Sequence, residues 1–105
     1  MVRIIFFETK KKIKGFLVLG HANFKEFGSD IVCAGISSCV FMCCNAILDV
    51  AKKNTIIFKK EGKISLKTNS ESFVVQAFLN ALKTHLNLLQ EQYKKNVKLK
   101  IVEVL

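Results

Sequence analysis

His21 and Cys33 are the two residues of this chain whose types and spacing best suit chemistry. His21 follows the end of an apolar run, and Cys33 lies just inside the start of a long apolar segment. A polar loop punctuated by Gly28 separates them. A strand–loop–helix turn would bring the two side chains together, and a cysteine thiol with an imidazole base is a common nucleophile. The pattern therefore predicts a thiol nucleophile with its base.

The helix that carries Cys33 is predicted to run from Ile31 to about Lys53, with Ser29 or Asp30 as its N-cap. Cys33 would then lie in the first helical turn, where free N–H groups and the helix dipole favour a thiolate. The alternative is that Cys33 is only a small buried residue, which is common for cysteine. Spacing alone favours this alternative, because three more cysteines occupy the same helix: Cys39, Cys43 and Cys44.

Asp30 and Ser37 share a helix face with Cys33, because they lie three residues before it and four after it. Asp30 would either orient His21 or only cap the helix, and capping alone is the simpler interpretation. Gly20 allows a sharp turn at the strand exit where His21 stands. A metal site is a weak interpretation, since His21 and Cys33 lack a second pair of ligands at the spacing of zinc sites.

The remaining elements are read from local patterns. Five segments rich in β-branched and aromatic residues are predicted strands: Val2–Phe7, Ile13–Leu19, Thr55–Lys59, Lys63–Lys67 and Val97–Leu105. The last strand is expected to slip in register at Val102. A capping box at Thr68–Glu71 starts a second helix that ends near Lys94. Its expected core stripe is Val74, Phe78, Ala81, Leu82, His85, Leu89 and Tyr93.

This order, ββαββαβ, predicts an α+β fold: a two-layer structure with a mostly antiparallel sheet and two helices packed on one face. At 105 residues the chain is expected to form one domain over residues 1–105. The first helix is apolar almost all round, so a second subunit is expected to cover part of it or the adjoining sheet edge. Its length suits a membrane span, but Ser37, Asn45 and Asp49 argue against one.

The charge balance is strongly basic, with 17 basic and 8 acidic residues and a net charge of +9. That balance indicates an anionic partner such as nucleic acid. However, Arg3 is the only arginine, and phosphate recognition favours the arginine fork, so the composition makes nucleic acid a weaker expectation. Cysteines crowded into one helix, with no secretory signal before them, predict free thiols and a cytoplasmic protein.

Two blocks of residues resemble a known family. Gly20-His21-Ala22, and after a short loop the segment GSDIVCAGIS at positions 28–37, are similar to the ribosomal-processing cysteine proteases called Prp. The resemblance covers the whole chain in pattern, and its specific identity is concentrated in residues 20–37. Cys39, Cys43 and Cys44 are not motif positions, and the basic charge is not part of the family pattern.

The resemblance implies a cysteine endopeptidase that removes a short N-terminal extension, ending in aromatic residues, from large-subunit ribosomal protein twenty-seven. It implies that His21 and Cys33 are the catalytic pair. The positions of Gly20, Asp30 and Ser37 beside this pair predict them as supporting residues. It also implies a homodimer that needs no metal or cofactor. The loop at 22–28 is expected to close over the substrate.

Two other functions remain open from the residues alone. A non-enzymatic ribosome-assembly factor that binds ribosomal RNA through lysines would explain the charge but leaves His21 and Cys33 without a role. A thiol redox module is weaker, because the chain lacks a C-x-x-C pair.

Overall fold

A five-stranded sheet and two helices make up the fold in the computed structural model, which describes residues 1–20 and 29–105, with only the backbone at Ser29 and Asp30. The elements in chain order are β1 (Val2–Thr9), β2 (Lys12–Leu19), α1 (Ser29–Ala51), β3 (Thr55–Lys60), β4 (Lys63–Thr68), α2 (Phe73–Gln92) and β5 (Val97–Glu103). This order confirms the predicted ββαββαβ arrangement. His21 and the loop at 22–28 lie outside the described residues.

The sheet has the strand order β3-β4-β2-β1-β5. Three of its four pairings are antiparallel, and only β1 and β5 run parallel. Tight turns set the two hairpins, with positive φ at Lys10 and Lys11 in the first and at Gly62 in the second. The sheet is therefore mostly antiparallel, as predicted.

The core lies between the sheet and the helices. Alternate residues of each strand face the helices, and among them Ile4, Phe6 and Phe16 are completely or almost completely buried. From α1 the buried stripe is formed by Val32, Ile36, Val40, Cys43 and Ile47. The other face of the sheet has no helix over it within the described residues, which makes the fold two-layered.

The segment Ile31–Asn54 is long and apolar enough to cross a membrane, with a mean hydropathy of 2.1. The core helix of a soluble protein meets the same criterion. Here Ile36 and Ile47 on α1 are buried in the same cluster as residues of the strands and α2. We therefore interpret α1 as a core helix.

Several predicted boundaries were wrong by a few residues. The α1 helix begins at Ser29, so Ser29 and Asp30 lie within its first turn instead of preceding it. The N-cap of α2 is Ser72, whose hydroxyl accepts a hydrogen bond from the N–H of Val75, and not the predicted capping box. Glu71 instead forms an ion pair with Lys14 on β2.

The predicted core stripe of α2 was also mostly wrong. The buried residues are Val75, Gln76, Leu79, Leu82 and Leu86, whereas Phe78 and His85 are exposed. The side-chain amide of Gln76 explains the difference. Its oxygen accepts from the N–H of Ile13 at 2.8 Å, and its nitrogen donates to the carbonyl of Ile13 at 2.9 Å. A polar residue thus satisfies backbone groups beside the register shift between Phe7 and Glu8 of β1.

The final strand is regular up to Glu103. Val102 pairs with Phe7 and Glu103 with Glu8 in unbroken parallel register, so the predicted slip at Val102 was wrong. The irregularity occurs one strand away, between β1 and β2.

Candidate active site

Cys33 lies near the start of α1 and is buried, with 4 % of its surface exposed. Because the helix begins at Ser29, Cys33 is its fifth residue and lies just beyond the first turn, which corrects the sequence prediction. The N–H groups of the first helical turn have no acceptor inside the helix. These donors point away from the helix end and lie one turn or less from Cys33.

A cavity of about 440 Å³ lies between α1 and the β3–β4 turn. Its walls include Gly20, Ser37, Phe41, Glu61 and Ile64. Ser37 follows Cys33 by four residues, so the two side chains lie on one face of α1, about 6 Å apart along its axis. The supporting residue Ser37 therefore lines a cavity next to the candidate nucleophile.

Gly20 brings the strand that leads to His21 to the same cavity. Its φ is +85°, and its N–H donates a hydrogen bond of 2.9 Å to the carbonyl of Gly62. A Cβ at this position would collide with the carbonyl of Met1, so both the backbone angle and the space require glycine. The exit of β2 is therefore fixed at the cavity wall, one residue before His21.

Of the predicted site residues, the structure brings Gly20 and Ser37 to one cavity, with Cys33 one helical turn away from Ser37. His21 lies outside the described residues. At Asp30 the structure gives the backbone only, in the first turn of α1.

Sequence reasoning missed the far wall of the cavity, which Phe41 and the β3–β4 turn provide. The ammonium group of Lys59 lies 4.3 Å from the centre of the Phe41 ring and joins the helix to the turn. Of these residues, only Gly62 was recognisable in the sequence, as a turn residue that can adopt a positive φ. Nothing in the sequence indicated that this turn lines a cavity.

The other three cysteines of α1 have a different environment. Burial raises the pKa of Cys43 to about 12 and the pKa of Cys44 to about 11. The Cys43 thiol faces the carbonyl of Phe78 on α2 at 3.8 Å. Burial also raises the pKa of Cys39. At neutral pH these three thiols are protonated and poorly nucleophilic.

Metal ligands are not clustered in the described parts of the chain. Within them, no group of three or more His, Cys, Asp or Glu side chains is placed to hold a metal ion. His85 lies on the exposed side of α2, next to Cys39 and Cys43 across a smaller cavity of about 270 Å³.

An α+β sheet with a helix cysteine beside a cavity is an architecture suited to a thiol enzyme. The family model of cysteine protease Prp matches residues 1–98. The ribosomal processing cysteine protease Prp of Staphylococcus aureus strain Mu50 is 31% identical over 93 residues, which are 84% of this chain and 86% of that protein. The chain belongs to the Prp family, and it is a cysteine protease.

Solved structures share the fold. The structure of Prp from S. aureus in complex with a substrate peptide has a TM-score of 0.88 at 24% identity, covering 97% of this chain and 100% of that chain. The structure of Prp from S. aureus with a covalently linked product peptide has a TM-score of 0.85 at 25% identity, with the same coverage.

Proposed function

We propose that this protein is an endopeptidase that removes the N-terminal extension of large-subunit ribosomal protein twenty-seven, with Cys33 as nucleophile and His21 as base. One observation carries the residue assignment. Gly20, which precedes His21, and Ser37, one turn after Cys33, line the same cavity. The family supports the reaction class, and S. aureus Prp has been solved with a covalently linked product peptide.

The reaction begins when the Cys33 thiolate attacks the scissile carbonyl carbon. A tetrahedral intermediate forms, and its oxyanion accepts hydrogen bonds from N–H groups at the start of α1. His21 holds the thiol proton and donates it to the leaving amine as the C–N bond breaks. Water then attacks the thioester, His21 takes a proton from it, and the acid product leaves with Cys33 restored.

The substrate side chain next to the cleaved bond would enter the cavity between α1 and the β3–β4 turn. Its apolar walls include Val18, Phe41 and Ile64, which suit an aromatic side chain. The proposed substrate extension ends in aromatic residues. The chemistry of the cavity and of this extension therefore agree.

The test is incubation of the protein with the precursor of ribosomal protein twenty-seven from the same organism, followed by intact mass. We expect a mass loss equal to the extension. The mature protein, which lacks the extension, is the matched control and should keep its mass. An unchanged precursor at stoichiometric enzyme would contradict the proposal.

We also propose a homodimer in the cytoplasm, with the outer helix surface as the interface. Met42 on α1 is 63% exposed, and Phe78 and His85 on α2 are exposed beside it. This surface has the apolar character that subunit contacts cover. Met42→Glu should convert a dimer to a monomer in sedimentation, while a monomeric wild-type protein at micromolar concentration would contradict the dimer.

A further inference from the structure

The face of the sheet turned away from the helices collects much of the basic charge of the chain. We define the open face as the alternate strand residues that the register places opposite to the core. Away from the β1–β2 turn, its basic members are Arg3, Lys60, Lys63, Lys67, Lys98 and Lys100. In the paired parts of the five described strands, no acidic residue shares this face. The only arginine of the chain is among the six cations.

These cations have no ion-pair partner within the described residues. The two ion pairs there join Lys14 to Glu71 and Lys83 to Glu8, and neither uses an open-face cation. Six unneutralised cations on one flat surface create a positive potential that attracts an anion.

Apolar and aromatic side chains accompany the cations of the open face, from the edge strand β3 across to β1. Phe58 on β3 is 49% exposed, and Phe7 on β1 is half-buried. The strand order puts two strands between them, so the rings lie about 14 Å apart across the sheet. A trough of about 640 Å³, larger than the cavity beside Ser37, runs along this face between Phe7, Leu17 and Lys67.

We propose that the open face binds single-stranded RNA. Bases stack on exposed aromatic rings, and lysines around them contact the phosphates, which is how sheet surfaces bind single strands. The ammonium group of Lys63, 5.6 Å from the Phe58 ring centre, marks a place where ring and cation act together. The choice of RNA over other single strands rests on the proposed function, because a ribosomal substrate lies beside ribosomal RNA.

Other occupants fit the open face less well. A second copy would place six cations against six cations without an acidic partner, which opposes association. An anionic membrane would need a broad area of protruding apolar side chains, whereas on the open face Ile56 and Phe58 protrude only at the edge strand β3 and Phe7 and Leu17 line a recess. A recess edged by cations instead accepts a planar base with its phosphate.

The test is fluorescence anisotropy of the full-length protein with a labelled mixed-sequence single-stranded RNA of about 12 nucleotides. If all six cations contact phosphates, the plot of log affinity against log salt should have a slope of about −4. A matched duplex RNA should bind more weakly, because its bases are not available for stacking.

Two double variants distinguish RNA binding at the open face from non-specific attraction to the net positive charge of the protein. Lys98→Gln with Lys100→Gln removes two open-face cations, whereas Lys94→Gln with Lys95→Gln removes two from the turn before β5. The first pair should weaken binding roughly 25-fold at 0.1 M salt and reduce the slope by about 1.4. The second pair should change affinity by less than about 3-fold, because its charges are screened from the face.

An aromatic pair tests stacking. Phe58→Leu should weaken binding about 5- to 100-fold, while Phe73→Leu, at a ring on α2 that is 86% exposed, should have no effect. All four variants should still cleave the isolated precursor, so loss of RNA binding is distinguishable from loss of the protease.

Five results would overturn the proposal. The first four are no RNA binding by the wild type, equal loss in the two lysine pairs, equal binding of duplex RNA, and equal or tighter binding to vesicles containing anionic lipid. Dissociation of a dimer by the open-face variants would also overturn it, since the face would then belong to a second copy.

Discussion

Cys33 and Cys44 belong to the same helix and are buried to nearly the same extent, at 4% and 5% exposed. Their surroundings differ. Both belong to the same hydrophobic core cluster, but Cys33 lies within two turns of the helix start and one turn from Ser37 at a cavity, whereas Cys44 lies further along α1. The comparison teaches that burial and residue type do not identify a nucleophile. The position of Cys33 along the helix, close to a cavity and to the helix start, is what supports Cys33 as the proposed nucleophile.

The largest effect expected from this comparison is on catalysis. Cys33→Ala and Cys33→Ser should abolish precursor cleavage, by at least on the order of 10³-fold, because no other group forms the acyl-enzyme. Cys44→Ala is the matched control, equally buried in the same helix, and should keep near-wild-type kcat/KM after correction for the folded fraction. Intact mass of the substrate measures cleavage, and circular dichroism of each variant measures the folded fraction. Wild-type turnover by Cys33→Ala would refute the assignment.

The two histidines allow the same contrast. His21→Ala should lower kcat by on the order of 10²–10⁴-fold, because the base and the acid for the leaving amine are both lost. His85→Ala removes an exposed imidazole on α2 and should leave kcat unchanged. Single-turnover cleavage of the precursor measures both. Equal rates for the two variants would show that His21 is not the base.

The four thiols should differ in alkylation rate. With a pKa of about 12, Cys43 has roughly 1,000-fold less thiolate at pH 8 than an ordinary thiol, and Cys44, with a pKa of about 11, roughly 100-fold less. We expect iodoacetamide to modify Cys33 first. Raising the pH from 8 to 9 should increase the rates at Cys43 and Cys44 about tenfold, because their thiolate fractions rise. Equal labelling of all four at pH 7 would contradict the nucleophile assignment.

Substrate protection sharpens the thiol experiment. Under conditions in which iodoacetamide modifies mainly Cys33, a peptide spanning the cleavage site should slow alkylation of Cys33. The alkylation rate of Cys39 should stay unchanged. If the peptide slowed the alkylation of both thiols, it would reduce reagent access to α1 in general and would not act by occupying the site at Cys33.

The sequence predicted most of the fold because its signals are local. Alternating apolar residues and turns such as Lys60–Gly62 define the strands to within one or two residues. The stripe of α2 was misassigned because Val74 and Phe78 are more apolar than Gln76, yet Gln76 is the buried one. Its partner is the backbone of Ile13, 63 positions away, and a local pattern does not contain that contact.

The candidate site could be predicted only where it depends on spacing along the chain. Spacing and the family resemblance select His21 and Cys33 as candidates. The cavity wall formed by Phe41 and Ile64 depends on how the β3–β4 turn packs against α1, which no motif encodes. The start of α1 at Ser29 was also missed, because Ser29 and Asp30 are good N-caps and equally good first-turn residues.

A smaller effect is expected at the two ends of α1. Asp30 lies in the first turn, so Asp30→Ala should reduce the free energy of unfolding by about 0.3–1 kcal/mol through loss of its interaction with the helix dipole. Asp49 lies near the other end, where a carboxylate is unfavourable, and Asp49→Ala should raise stability by a similar amount. Urea unfolding measures both. A fall in cleavage by Asp30→Ala with stability unchanged would instead show that Asp30 orients His21.

The smallest effect separates two adjacent serines. Ser37 is half-buried and lines the cavity, whereas Ser38 is exposed. Both sit inside α1, so replacement by alanine gives each variant the same small gain in helix propensity, and that gain cancels between them. We expect Ser37→Ala to raise KM for the precursor by less than about tenfold with little change in kcat, because the hydroxyl contacts bound substrate equally before and during reaction. Ser38→Ala should leave both constants unchanged.

Two other outcomes would contradict this expectation. A loss in kcat for Ser37→Ala with KM unchanged would mean that the Ser37 hydroxyl acts on the Cys33 thiolate or the oxyanion. Equal constants for the two variants would place the substrate outside this cavity.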